Sequence, residues 1–229
     1  MRKLDIDLFK FNDINLFDKK KITEKGNVFV ALNLFSISHF EENFKNNSKN
    51  VKFWCDGIFG VIHLGQRGNF TKKIPGPKFL EILLSCINKK VVVIGNLDKK
   101  ELSYLKKRDI SVIRNIPLLN YRFEDLKKIT LESEIEVIIT LPSPLQEETA
   151  FFLHKKYPNL NFFCIGGALK MLSYPELNAP KIVRKLNIEW LYRFKTDPVR
   201  RFSRILYSIW KYLKNLKKIK NYKWSRIVE

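Results

Sequence analysis

The chain has 229 residues, 45% of them hydrophobic and 29% charged, with a net charge of +20. That composition supports one large domain, or a domain with an appendage, and excludes a disordered polymer. No run of 18 apolar residues exists, which excludes a membrane-spanning helix. Residues Met1-Arg2-Lys3-Leu4-Asp5-Ile6-Asp7 carry acids where a signal peptide needs an apolar core, so the protein is expected to stay in the cytoplasm.

Residues 1–26 are polar and read as an N-terminal extension or a short edge element. Asp5-Ile6-Asp7 has the spacing of a metal-binding acid pair, but it precedes any convincing strand and is discounted. Val28–Leu32 is a continuous apolar run, as in a strand buried on both faces. A short helix is expected from about Ser38 to Asn46. Val51–Cys55 is the second strand and ends in Asp56-Gly57-Ile58-Phe59-Gly60. Val61–Leu64 reads as a third, short strand. Pro75-Gly76-Pro77 starts a helix that runs to about Cys86, since proline suits the first helical turn.

A second series follows: strand Val91–Gly95, helix Lys99–Lys107, strand Ser111–Ile113, helix Glu124–Leu131 and strand Glu136–Leu141. Pro142-Ser143-Pro144 then breaks the chain before a helix over Leu145–Tyr157. Strand Phe162–Ile165 ends in Gly166-Gly167. Apolar strands alternating with helices predict an α/β fold: a Rossmann-like, mostly parallel sheet with helices on both faces. Residues 27–180 make up that domain.

Residues 181–229 form a basic C-terminal appendage, with fifteen Lys or Arg against three acids. Its long helix begins at Pro198. At 100° per residue Phe202, Ile205, Leu206, Ile209, Leu213 and Leu216 share one side. Arg200, Arg201, Arg204, Lys211, Lys214 and Lys218 share the other. Such a helix suits an anionic membrane surface, and equally a terminal helix packed on its own domain. The charge alone also fits nucleic acid, but no nucleic-acid motif accompanies it, and none is expected as a partner. Cys55, Cys86 and Cys164 lack CxxC spacing and read as free thiols. His39, His63 and His154 are widely separated and lack metal-site spacing, which leaves open that folding brings two of them together.

Alone, Asp56-Gly57 reads as a turn. It gains weight from the stretches that follow it in order: Lys73-Ile74-Pro75-Gly76, Ser143-Pro144-Leu145-Gln146-Glu147, Ile165-Gly166-Gly167-Ala168, Ala179-Pro180, Glu189-Trp190-Leu191-Tyr192-Arg193 and Asp197-Pro198-Val199-Arg200-Arg201. In this order they resemble the WecG/TagA/CpsF glycosyltransferases (glycosyltransferase family 26), from about Val28 to Arg204. The resemblance implies an inverting, metal-independent enzyme of bacterial surface-polysaccharide or wall-polymer synthesis. It would move a sugar, often of N-acetylmannosamine type, from a UDP-sugar to a lipid-diphosphate-linked acceptor. It would work on the inner face of the cell membrane, with homo-oligomers possible.

The resemblance casts Asp56 as the base and Asn33 and Gln146 as substrate-site amides. Arg193, Arg200, Arg201 and Arg204 match the C-terminal arginines, some of which would meet the diphosphate. Gly95, Gly166 and Gly167 end strands and offer backbone amides to phosphate, or make ordinary turns. Glu147 either orients Gln146 or is a solvated first-turn acid. Ala31, Asn96, Pro77-Lys78, Leu145, Lys170 and Asn178 depart from the family pattern. They leave open a weakened homologue that binds lipid-linked sugar or membrane as an accessory protein.

Overall fold

The computed structural model describes residues 5–8, 22–44, 50–65, 72–117, 123–133, 135–180, 182–183, 192, 198–219 and 223–226. Its strands are β1 (Asp5–Leu8), β2 (Val28–Leu32), β3 (Val51–Cys55), β4 (Lys90–Ile94), β5 (Ser111–Ile116), β6 (Glu136–Ile139), β7 (Asn161–Cys164) and β8 (Lys223–Arg226). They form one sheet in the order β5-β4-β6-β7-β2-β3-β1-β8, parallel at every described pairing. The helices are α1 (Leu34–Ser38), α2 (Phe40–Asn43), α3 (Gly57–Gly65), α4 (Gly76–Cys86), α5 (Lys99–Lys106), α6 (Phe123–Lys127), α7 (Leu145–Lys156), α8 (Ala168–Ser173) and α9 (Pro198–Ile219).

The apolar strands are apolar because both of their faces are covered. Val30, Phe53, Ile94, Val137 and Phe162 lie on one face with Ile37, Phe40, Leu64, Leu126, Leu153 and Ile219. Phe29, Trp54, Val93, Ile138 and Phe163 lie on the other with Phe79, Leu83, Leu105 and Leu169. Trp54 stacks on Phe79 at 3.8 Å, which ties β3 to α4. The expected α/β sheet with helices on both faces is the one found.

Three expectations need correction. Val61–Leu64 is helical, within α3, and not a strand. A four-residue apolar run fits either structure, and here Gly60 and Leu64 are buried at helical spacing, with His63 buried against Tyr212 of α9. Asp5-Ile6-Asp7 lies inside β1, between β3 and β8. The one helix expected from about Ser38 to Asn46 is two short ones, α1, which ends at Ser38 and starts at a capping box of Asn33 and Ser36, and α2 over Phe40–Asn43.

The appendage returns to the domain. Its β8 pairs with β1, and α9 packs along α1. Along the docked side of α9 Ser208 and Lys211 are buried, Asn215 donates to the Ser38 carbonyl at 3.4 Å, Tyr212 packs against the core and Ile219 lies in it. The Lys211 ammonium pairs with Glu42. Replacing Glu42 with Gln leaves that buried cation without its counter-charge. The expected cost is about 1–3 kcal/mol, read as faster amide exchange across Pro198–Ile219.

At the opposite, N-terminal edge of the sheet, burial pushes the Glu136 carboxyl up to about 7, while an Asn161 hydrogen bond and the Lys25 charge act against it. The folded state thus holds a proton that the unfolded chain, titrating near 4.5, has already released. Stability contributed at this site falls as pH rises from about 4.5 to 7 and stays low above that. Glu136→Gln is expected to raise stability by on the order of 2 kcal/mol at pH 8. The gain should vanish by pH 4.5, as a pair of melting series would show.

Candidate active site at the strand ends

The motifs meet at the carboxyl ends of the strands. Across the sheet stand Gly95 after β4, Thr140 to Gln146 after β6, Gly166 after β7, Asn33 after β2 and Asp56 after β3. With strands about 4.8 Å apart, this row runs roughly 19 Å. The chain leaves β4 toward β5 on one side and returns as β6 on the other. Ligands of open α/β sheets settle at such a reversal.

Asp56 is half-buried at the end of β3, and its N–H donates to the Leu32 carbonyl at 3.0 Å. Gly57 follows with φ +81, a conformation that turns strand directly into helix and suits glycine. Gly60 lies where α3 crosses the strand ends, and a Cβ there would sit 2.5 Å from the Leu32 carbonyl oxygen. The second glycine is thus a packing requirement. Beneath Asp56, burial and then the Asp56 charge push the Cys55 thiol up to about 12, so this cysteine is an inert core group.

Asn33 is the N-cap of α1. Its Oδ1 accepts the Ser36 N–H at 3.1 Å, and its own N–H donates to Ser36 Oγ at 2.9 Å. Gln146 is buried, and both ends of its amide are engaged. Its Nε2 donates to Ser143 Oγ at 2.7 Å and to Glu147 Oε1 at 2.9 Å; its Oε1 accepts the Gly166 N–H at 2.9 Å. Gln146 therefore binds the turn after β6 to the turn after β7.

Glu147 is also buried, and its Oε1 accepts from Ser143 Oγ at 2.7 Å. Its Oε2 has no hydrogen-bond partner among the described residues. Burial pushes this carboxyl up, against the Ser143 and Gln146 hydrogen bonds and the Arg204 charge. Of the two readings of Glu147, the one that orients Gln146 describes its contacts. Ser143 went unassigned in the sequence, although its place between two prolines and beside Gln-Glu was a usable signal. The Ser143–Pro144 peptide is cis.

Gly95 has φ +142, and a methyl group there would collide with the Thr140 hydroxyl. Gly166 has φ +51 and faces the Gln146 amide. Gly167 precedes α8, and a Cβ at Gly167 would meet nothing within 4 Å. Gly76 approaches Ala168 closely, 3.4 Å from a Cβ built on Gly76, so the Pro-Gly and Gly-Gly-Ala stretches adjoin.

The departures from the family pattern have ordinary partners. Ala31 and Leu145 pack on the two cores. Lys78 pairs with Glu81 at 3.2 Å, and Lys170 lies in the field of Asp98 and Glu101. Asn178 Nδ2 donates to the Met171 carbonyl at 3.0 Å.

Among the arginines, Arg204 comes to the row of strand ends. Its guanidinium stacks over Phe35 at 4.4 Å, two residues beyond Asn33, and its charge acts on Glu147 and His39. His39 stacks on Phe35 at 4.1 Å and meets the Tyr207 ring at a tilt, at 5.7 Å. Burial is the main cause that holds the His39 pKa below the usual histidine range; a Phe35 hydrogen bond opposes it, and the Lys211 and Arg204 charges add to it. The backbones of Arg200 and Arg201 lie in the first turn of α9. Arg193 lies outside the described residues, as do Glu189, Trp190 and Leu191. Among the described residues no His, Cys, Asp and Glu group could hold a metal ion.

Comparison with known proteins agrees with the motif order. Curated relatives from Staphylococcus aureus strains NCTC 8325, COL and MRSA252 are each named N-acetylglucosaminyldiphosphoundecaprenol N-acetyl-beta-D-mannosaminyltransferase. They are 32% identical to this chain over 100 residues, which is 43% of this chain and 39% of each relative. The sequence model described as the glycosyl transferase WecG/TagA/CpsF family matches residues 15–225, nearly the whole chain. The chain therefore belongs to the WecG/TagA/CpsF glycosyltransferase family.

Proposed function

We propose that this protein is an inverting glycosyltransferase. It moves a sugar, of N-acetylmannosamine type, from a UDP-sugar to a lipid-diphosphate-linked sugar such as an N-acetylglucosamine acceptor. The observation that carries this reading is the convergence of four separated family stretches on one row of strand ends, with a half-exposed carboxylate, Asp56, at the end of that row. In the proposed reaction Asp56 accepts the proton of the acceptor hydroxyl as that oxygen attacks the anomeric carbon. The carbon–oxygen bond to the diphosphate breaks on the opposite face, and the nucleoside diphosphate departs with the electron pair. Arg204, with Arg193, Arg200 and Arg201, meets the growing charge in place of a metal. Of the three glycines, the Gly95 N–H is taken by the Ile116 carbonyl at 2.9 Å and the Gly166 N–H by Gln146, which leaves Gly167 to offer its backbone to phosphate. Gln146 supports the pocket by fixing Gly166.

The same reading places the protein on the cytoplasmic face of an anionic membrane. No described helix is long and apolar enough to cross a bilayer. Yet the apolar side of α9 faces outward: Phe202, Leu206, Trp210 and Leu213 are each more than half exposed. The α9 segment has seven Lys or Arg and no acid. An exposed apolar stripe between cations suits a surface of acyl chains and phosphates.

The test is a transfer assay with the full chain, vesicles carrying a lipid-diphosphate N-acetylglucosamine acceptor, and a panel of UDP-sugars. Turnover with an N-acetylmannosamine donor, unchanged by EDTA, is the expected result. No turnover with any UDP-sugar would overturn the enzymatic reading, and loss in EDTA would overturn the metal-free one.

A further inference from the structure

The outward apolar surface does not end at the border of α9. Tyr212 on α9 reaches α3: its ring stands edge-on to Phe59 at 5.0 Å, and its hydroxyl lies 3.2 Å from His63 Nδ1. Around α9, Ile209 and Leu213 sit beside Tyr212 on the side away from the buried Ser208. Around α3, Gly60 and Leu64 face the sheet while Phe59 and His63 face α9. Ile58 and Ile62, one helical turn apart, come next around that helix on the solvent side, and they are 38% and 50% exposed. Both rows therefore flank the Tyr212 seam on the same, outer side.

We infer that Ile58 and Ile62 of α3 join Ile209 and Leu213 of α9 in one lipid-facing surface, which brings an anionic bilayer to the catalytic domain itself, two residues from Asp56. This rests on the reading of α9 as the membrane face and extends it to a helix of the α/β domain. Isolated exposed isoleucines would need no partner. This pair is continuous with the α9 stripe, and continuity selects the occupant. Charge selects it too: α3 and α9 hold no acid between them, and Lys214, Lys217 and Lys218 are exposed beside the stripe. A second copy of this chain would bring the same cations face to face, whereas an anionic headgroup layer neutralises them. An acceptor whose diphosphate lies among those headgroups then meets Asp56 with its lipid still in the bilayer.

The experiment compares flotation of the full-length wild type with I58S/I62S on vesicles of phosphatidylglycerol and phosphatidylcholine. W210S/L213S on α9, and L102S/I113S at exposed apolar sites on α5 and β5, run alongside. I58S/I62S is expected to partition about 10-fold less well, from the acyl contact two half-exposed isoleucines would lose. Its KM for the vesicle-borne acceptor should rise more than its kcat falls. L102S/I113S should float like the wild type. If I58S/I62S also floats like the wild type while W210S/L213S floats poorly, α9 binds membrane alone and this inference is overturned. If all variants float equally, the membrane reading of α9 falls with it. Should I58S/I62S melt early, I62S alone carries the same comparison, because Ile62 is the more exposed of the pair.

Discussion

Asp56→Asn is expected to lower kcat by roughly 10²–10⁴-fold, the range over which a positioned base accelerates proton transfer. The melting temperature should stay where it is. This substitution separates the two readings that the sequence leaves open. If Asp56 only begins a turn, asparagine serves as well, because Asn-Gly and Asp-Gly favour the same turns. The backbone around it would not change: the N–H bond to Leu32 belongs to the main chain, and Gly57 supplies the left-handed step. If Asp56 takes the acceptor's proton, the amide cannot, and transfer fails in a folded protein. Wild-type turnover in the variant would remove Asp56 from the mechanism and leave the family assignment intact. A rise in KM with kcat unchanged would make Asp56 a binding group instead.

Much of the fold was legible in single stretches. Val28–Leu32, Val91–Ile94 and Phe162–Cys164 are apolar along their length, as strands covered on both faces are, and each is followed by the break that a strand end needs. The strands nearest the chain ends were the least legible. Asp5–Leu8 read only as part of an extension or a short edge element and Lys223–Arg226 not as a strand; both are short and rest on pairing, β1 with β3 and β8, and β8 with β1. Val61–Leu64 misled because a four-residue apolar run has no period of its own. Asn33-x-x-Ser36 was a readable helix start that the apolar pattern of Leu34 and Phe35 obscured.

The site was legible in part for the same physical reasons. Motif order located Asp56 and Gly166 because both sit where strands end. It did not reveal that Gln146 is saturated by Ser143, Glu147 and Gly166, since that depends on two turns meeting across the sheet. Nor did the two-sided pattern of α9 say which side docks. The wheel offered membrane binding or packing on the domain as alternatives. The helix packs with Ser208 buried, Lys211 paired with Glu42 of α2 and Asn215 donating to the Ser38 carbonyl of α1. Its apolar side is left outward by that choice. A docking stripe that mixes polar groups with apolar ones becomes readable only once its partners are known.

Gly60→Ala carries the largest expected loss of stability, about 2–4 kcal/mol, as a backbone clash in a packed interior. That corresponds to a fall of roughly 5–15 °C in melting temperature for a chain of this size. The added methyl would stand 2.5 Å from the Leu32 carbonyl oxygen and 3.0 Å from Cys55 Sγ. A flexible side chain could swing aside, but the Leu32 carbonyl cannot, because it already accepts the Asp56 N–H. Either α3 lifts off the strand ends or that hydrogen bond breaks, and both displace Asp56. Activity should therefore fall even at temperatures well below the variant's melt, where the folded fraction is unchanged. Gly167→Ala supplies the contrast in stability, since its Cβ meets nothing within 4 Å and should shift the melt by no more than about 0.5 kcal/mol. Equal melts for the Gly60 and Gly167 variants would show that α3 has room to spare. The spacing Asp56-Gly57-x-x-Gly60 would then be free of the steric link that holds the carboxylate at the strand's end.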